Sequence, residues 1–289
     1  MFFDDTAMAP RDIWFEWLNH GRFGRDERLR ARVEAETARL AGRLLDHVPL
    51  PAGGALVDVG CGAGLVGLTA LALQPDLKVT FCDVSGPLLA QARARAPGGR
   101  FLEVPATALA GVADASQDVA AARAVLAYVA DKGRAFDEML RVLRPGGWMT
   151  LAEPVWRDEA LAVPAMAAVA ISRGDALARA RHKWKQAQFS GEAMAALTGY
   201  SERDLLMLAR AAGFGEVHVR LEIDVEASPA MSWAAFCALM PHPLAPSLKE
   251  IALSAEERAA LEAALRPHVE AGTNWRTRRV AYVWAQKPA

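Results

Sequence analysis

Across residues 26–47, apolar side chains fall at Leu29, Val33, Leu40 and Leu44. That spacing predicts a helix with one apolar stripe, ended by Pro49 and Pro51. Just upstream, Trp14, Phe15, Trp17 and Leu18 predict a short aromatic-rich helix. The period then changes. Residues 55–59 form a compact apolar run that predicts a buried strand, followed by a glycine loop and a helix reaching about residue 73. Second and third strands are predicted over 77–81 and 99–104, with a helix over 85–96 between them. A fourth strand begins over 118–122, and a helix follows over 131–143. Pro145-Gly146-Gly147 then predicts a tight turn into a fifth strand over 148–153. Strands alternating with helices predict parallel βαβ units.

The alternation breaks at Pro154. Residues 154–200 are mostly helical in pattern and too long for an ordinary connection. A helix over 201–212 and a strand over 216–225 resume the order. A second insertion covers 226–273, and a strand over 278–285 closes the chain. The expected organisation is an N-terminal helical lid segment over 1–50. An α/β domain over 51–289 carries the two insertions as a cap.

Composition narrows the class. The 289 residues are 53% hydrophobic and 23% charged, enough for a substantial core and unlike a disordered chain. Lys and Arg number 33 against 34 Asp and Glu, a formal net charge of −1. This balance gives no electrostatic reason to expect nucleic acid or an anionic membrane as partner. The 3 cysteines, Cys61, Cys82 and Cys237, lack CxxC spacing, which favours reduced thiols and a cytoplasmic setting. Asp4 and Asp5 stand where a signal peptide would be basic. The longest apolar run, 161–171, contains Pro164 and is too short to span a bilayer.

The chemistry concentrates in Val57-Asp58-Val59-Gly60-Cys61-Gly62-Ala63-Gly64, a strand, a glycine turn and a helix start. Glycines let ligand atoms approach the backbone, and the helix start presents free N–H groups. With Gly67, the spacing Gly62-x-Gly64-x-x-Gly67 also satisfies a dinucleotide pattern, so an NAD-dependent oxidoreductase is an alternative. Asp58 argues against it, because a carboxylate there repels a pyrophosphate and suits an amino group. Asp83 ends the second strand, where a ribose diol would accept a carboxylate. A nucleoside carrying a cationic amino acid, S-adenosylmethionine (SAM), fits both acids.

These segments resemble the class I SAM-dependent methyltransferases. So do Glu138-x-x-Arg141-Val142-Leu143-Arg144-Pro145-Gly146-Gly147, similar to ubiquinone/menaquinone-type and natural-product enzymes, and Ala211-Ala212-Gly213-Phe214. The resemblance implies a Rossmann-like, mostly parallel seven-stranded sheet with its last strand antiparallel, N-terminal helices and helical cap insertions. It further implies that Gly60, Gly62 and Gly64, with Cys61 as a small residue of the same turn, line the methionine portion of SAM. Asp58 would meet the amino group, Asp83 the ribose hydroxyls and Val84 the adenine. After the third strand, Pro105 stands near the place of an acid that many relatives direct at the adenine amino group. Thr107 or a backbone carbonyl would substitute.

Acceptor-facing residues are expected at the carboxyl ends of the fourth and fifth strands and in the insertions. The Asn/Asp-Pro-Pro-Tyr/Phe motif of nucleic-acid and protein-amide methyltransferases is absent after the fourth strand. That favours a small-molecule acceptor, anionic or aromatic. Arg123 would contact cofactor or an acidic substrate. Glu153 is a candidate base or clamp. Arg179 to Lys185 forms a basic cap segment with His182 as candidate general base. No clustered His and carboxylate motif suggests a metal. The expected product is S-adenosylhomocysteine (SAH), and the protein a monomer or homodimer. A non-catalytic SAM-binding scaffold is the second alternative.

Overall fold

The computed structural model describes residues 12–24, 26–189 and 194–289. Asp4 and Asp5 lie outside them.

The predicted periodicities become elements where they were expected. Asp12 caps α1 (Ile13–Asn19), its carboxylate accepting from the N–H groups of Trp14 and Phe15. A 3-10 turn, Gly21–Phe23, leads to α2 (Glu27–Leu45), capped by Asp26. Then follow β1 (Ala55–Val59), α3 (Leu65–Leu73), β2 (Lys78–Asp83), α4 (Gly86–Arg95), β3 (Arg100–Glu103) and β4 (Gln117–Arg123). After a 3-10 turn at Leu126–Tyr128 come α5 (Lys132–Val142) and β5 (Leu143–Pro154). The first insertion is α6 (Arg157–Arg173), α7 (Ala176–Gln188) and α8 (Met194–Thr198), followed by α9 (Glu202–Ala212) and β6 (Val217–Ala227). The second insertion holds α10 (Trp233–Ala238) and α11 (Ala255–Ala271), and β7 (Trp275–Gln286) closes the chain.

The seven strands form one sheet in the order β3-β2-β1-β4-β5-β7-β6. Strands β1 to β5 are parallel, and β7 runs antiparallel to both β5 and β6. Alternate residues of each strand face opposite layers. Val57, Val59, Ala120 and Ala122 pack against Phe136 and Met139 of α5 and Leu205 and Ala209 of α9. Leu56, Val79, Phe81 and Tyr282 pack against Leu40, Ala41, Leu44 and Leu45 of α2. Burying each large aliphatic side chain of this kind contributes about 1.5–3 kcal/mol. The α2 helix is therefore a layer of the domain rather than part of a lid, and Thr150 ties it down by donating to the Leu44 carbonyl at 2.7 Å.

Two boundaries differ from the pattern. Pro145-Gly146-Gly147 sits inside β5 as a bulge, because Leu143 pairs with Gln117 while Trp148 pairs with Val119. Strand β7 starts at Trp275, three residues before the apolar pattern suggests, and the reason is electrostatic. Arg276 and Arg278 both bind Glu36 of α2, and Arg276 also reaches Glu226 and Arg278 reaches Asp224 on β6. Charge pairing across the ladder replaces apolar alternation there.

Candidate functional site

Between β1 and β4 the strand order reverses, and ligands of open α/β sheets bind at the carboxyl ends beside such a point. The glycine loop follows β1 and Arg123 ends β4, so both stand at this position. Gly60, Gly62 and Gly64 have φ of 63°, 54° and 86°, a conformation that disfavours any side chain. The loop is tied to β2 by the Cys61 N–H donating to the Cys82 carbonyl at 2.9 Å. Gly64 starts α3 without a side-chain cap, leaving N–H groups of the first turn facing the loop.

Asp58 is 1% exposed. Its Oδ2 accepts from the Gly67 N–H at 2.8 Å, whereas Oδ1 is buried and has no partner. Burial pushes this carboxyl up to about 7, with Asp83 adding to the rise while the Gly67 N–H and Arg123 oppose it. An orphaned carboxylate oxygen beneath the loop fits a cationic amino group and suits a pyrophosphate poorly. Asp83 is held from both sides: Oδ2 accepts from the Gly62 N–H at 2.7 Å and Oδ1 from the Ser85 N–H at 2.9 Å. Burial raises its pKa, and these N–H groups counter the rise. Val84 beside it is 51% exposed, and Thr107 is half-buried in the turn after β3. Burial raises the Cys61 thiol, which contacts its neighbour's carbonyl and remains a space-filling residue of the turn.

The N-terminal helix α1 lies over this loop. Asp12 Oδ2 accepts from the Ser85 hydroxyl at 2.5 Å, and Asn19 Oδ1 accepts from Gln91 at 3.1 Å. Leu18 lies over Gly62, with its Cδ1 3.5 Å from where a Cβ would stand. Trp14 meets Tyr128 edge to face at 4.9 Å, and Trp17 donates to the Met240 carbonyl at 2.9 Å. Through these contacts α1 spans from the end of β2, past the turn after β4, to the second insertion. A cavity of about 810 Å³ opens between Ile13, Trp17 and His20 and Ala235 and Met240; neither acid of the loop lines it.

Glu153, the candidate base, has another task. It is 0% exposed, and its oxygens accept from the N–H groups of Val125 and Ala127 at 3.0 and 3.1 Å. Burial raises its pKa against those hydrogen bonds. A carboxylate enclosed this way shapes the chain after β4. Arg123 stands beside it, half-buried, its pKa lowered by burial and supported by Glu153.

The basic cap segment also resolves differently. Lys183 binds Glu257 at 2.8 Å, and Arg179 lies near Glu256 and Glu257 at 3.6 and 3.7 Å. Trp184 packs edge to face on Phe236 and joins the cap's own core with Ala180, Leu248, Ile251 and Leu261. These residues therefore bind α7 to α10 and α11. His182 shares this helix, with Nδ1 buried and without a hydrogen bond. His242 is likewise structural: Leu244 donates its N–H to Nδ1, so Nε2 carries the proton toward the Gln188 carbonyl.

Residues 57–151 match the family described as Methyltransferase domain. The chain is thus similar, from β1 to β5, to methyltransferase domains. Over 128 residues it is 36% identical to trans-aconitate 2-methyltransferase of Variovorax paradoxus, covering 44% of this chain and 49% of that protein. It is 35% identical over 156 residues to 27-O-demethylrifamycin SV methyltransferase of Amycolatopsis mediterranei, 52% of this chain and 56% of that one. The chain thus spans about half the length of the curated relatives it matches. In fold it is similar to a methyltransferase-like protein of Bacillus halodurans C-125, with a TM-score of 0.52 at 16% identity over 86% of this chain and 99% of that one. Within this domain the matched region ends at β5, so both insertions and α1 lie outside it. Among the described residues no helix is long and apolar enough to cross a membrane. No group of three or more His, Cys, Asp or Glu there could hold a metal ion.

Proposed function

We propose that this protein transfers a methyl group from SAM to a small-molecule acceptor. The observation that carries the reading is the pair of acids on the glycine loop. Asp58 leaves one buried oxygen unpartnered, and Asp83 is oriented by two backbone donors. SAM supplies an electrophilic methyl on a sulfonium and leaves as SAH. The chain's own residues bind, orient and exclude water. Asp83 takes the ribose diol through charge-assisted hydrogen bonds, Asp58 takes the amino group, and α1 closes the cleft above Gly62. The relatives' names specify trans-aconitate and 27-O-demethylrifamycin SV, both small molecules, in support of that acceptor class.

Calorimetry with SAM and with NAD tests the reading directly, since only SAM should bind. Asp83→Ala should weaken SAM binding by about 1–3 kcal/mol, from lost hydrogen bonds to a charged acceptor. A folded Asp83→Ala variant with unchanged affinity removes Asp83 from the ribose site. SAM binding without transfer to any small acceptor would favour the scaffold alternative.

A further inference from the structure

The sheet ends in two unlike edges. Strand β3 has four residues, whereas β6 runs for eleven and pairs only with β7. Among the described residues the outer N–H and C=O groups of β6 have no backbone partner. Its register with β7 is continuous from Val217 to Ala227, without a bulge, and the strand contains no Pro, Gly or Lys. Long, unbroken edges of this kind pair with another strand unless something blocks them.

The two faces of β6 differ. Leu221, Ile223 and Val225 share one face and are exposed, Ile223 and Val225 by 55% and 63%. Trp275, directly across from Ala227 on β7, extends this apolar face and is exposed as well. The other face carries His218, Arg220, Glu222, Asp224 and Glu226, basic first and acidic after. Asp224 binds Arg278 at 2.5 Å and Glu226 binds Arg276 at 2.9 Å, each through one oxygen. Their other oxygens accept no hydrogen bond among the described residues. Arg220 makes no ion pair there, its Cζ lying 5.9 Å from the Trp284 ring.

Because side chains alternate, an antiparallel copy of β6 matches it face to face only if the two-fold axis passes through a residue. The midpoint of the strand is Glu222. An axis there pairs all eleven residues, with Leu221 opposite Ile223 and Val219 opposite Val225. On the charged face it sets Arg220 opposite Asp224 and His218 opposite Glu226. The two Glu222 side chains meet on the axis, each held by its own Arg43 at 2.6 Å. An axis at Ile223 would set Glu222 against Asp224, and one at Leu221 would leave the last two residues of each strand unpaired. We propose that β6 binds the β6 of a second copy of this chain in the register centred on Glu222, joining two seven-stranded sheets into one. The second copy fits because the strand is complementary to its own reverse in both apolarity and charge.

The full chain should sediment as a dimer in analytical ultracentrifugation across a dilution series. Ile223→Lys, at an exposed position, should raise the dimer dissociation constant by about tenfold or more. Arg220→Glu and Asp224→Lys should each weaken association similarly, since each homodimer then sets like charges opposite one another twice. An equimolar mixture of those two variants should regain wild-type association, because every pair across the mixed interface is again opposite in sign; recovery also shows that both variants fold. Mild oxidation should link Glu222→Cys chains by a disulfide and leave Arg220→Cys chains unlinked, since only the residue on the axis faces itself. The wild-type chain is the control for its native cysteines. A wild-type chain that stays monomeric at its highest soluble concentration overturns the proposal. So does a dimer that withstands Ile223→Lys; its loss with Ile171→Lys would then put the second copy on the exposed apolar face of α6. A mixture as weak as its components, or equal linking of the two cysteine variants, would overturn the register.

Discussion

SAM affinity should fall by about a hundredfold between pH 8 and pH 5, at about tenfold per unit below neutrality. The cause is Asp58, whose carboxyl burial lifts to about 7 in the free protein. A cationic amino group beside its orphaned Oδ1 favours the ionised form, so the cofactor binds the deprotonated protein. Affinity is therefore full above about pH 7 and lost as protons compete below it. Stability of the ligand-free protein moves in the opposite sense. The folded pKa lies above the unfolded value of 3.8, so this group's contribution is fully present below 3.8 and is lost as pH rises toward 7. Asp58→Asn should consequently stabilise the free protein at pH 8 by about 1–3 kcal/mol while abolishing most SAM affinity and its pH dependence. Calorimetry across pH and thermal unfolding of both proteins check the two halves. A flat affinity profile in the wild type would place the amino group elsewhere.

The second large effect concerns Gly60. A Cβ there would stand 2.4 Å from Val125 Cγ2 and 2.8 Å from Cγ1, at a φ of 63°. Overpacking and left-handed strain add, so Gly60→Val should cost about 3 kcal/mol or more and lose SAM binding. Gly62 is roomier, its nearest neighbour being Leu18 Cδ1 at 3.5 Å. Gly62→Ala should therefore lose only about 1–2 kcal/mol, mostly backbone strain. Melting temperatures of the two variants, with and without SAH, decide the order. A more stable Gly60→Val than Gly62→Ala would mean that Val125 does not press on the loop.

These two glycines look alike as letters, and the difference between them comes from Val125 in the chain after β4. The same division runs through the molecule. Strand and helix positions were legible because each depends on side-chain period over a few residues. Asp58 with its loop was legible too, since Oδ2 and the Gly67 N–H are near neighbours in sequence. Asp83 could be placed because a strand end is a local feature. The boundaries of β7 were not, as Arg276 and Arg278 pair with Glu36 far along the chain.

The assignments that changed all depended on long-range packing. Glu153 closes on Val125 and Ala127 of another strand's exit, which converts a candidate base into a backbone anchor. Trp184 and Lys183 turn toward Phe236 and Glu257, which makes a supposed substrate cap segment into the interior seam of the cap. Residue type and period alone determined an α/β sheet, a glycine loop after its first strand and two acids beside that loop. Only the tertiary structure decided that Asp12 of the N-terminal segment meets Ser85 beside the loop and that Glu153 is taken up by backbone N–H groups after β4. Periodicity encodes which face of an element is apolar; which distant charge that face meets depends on how the elements cross, and that is fixed only when they pack.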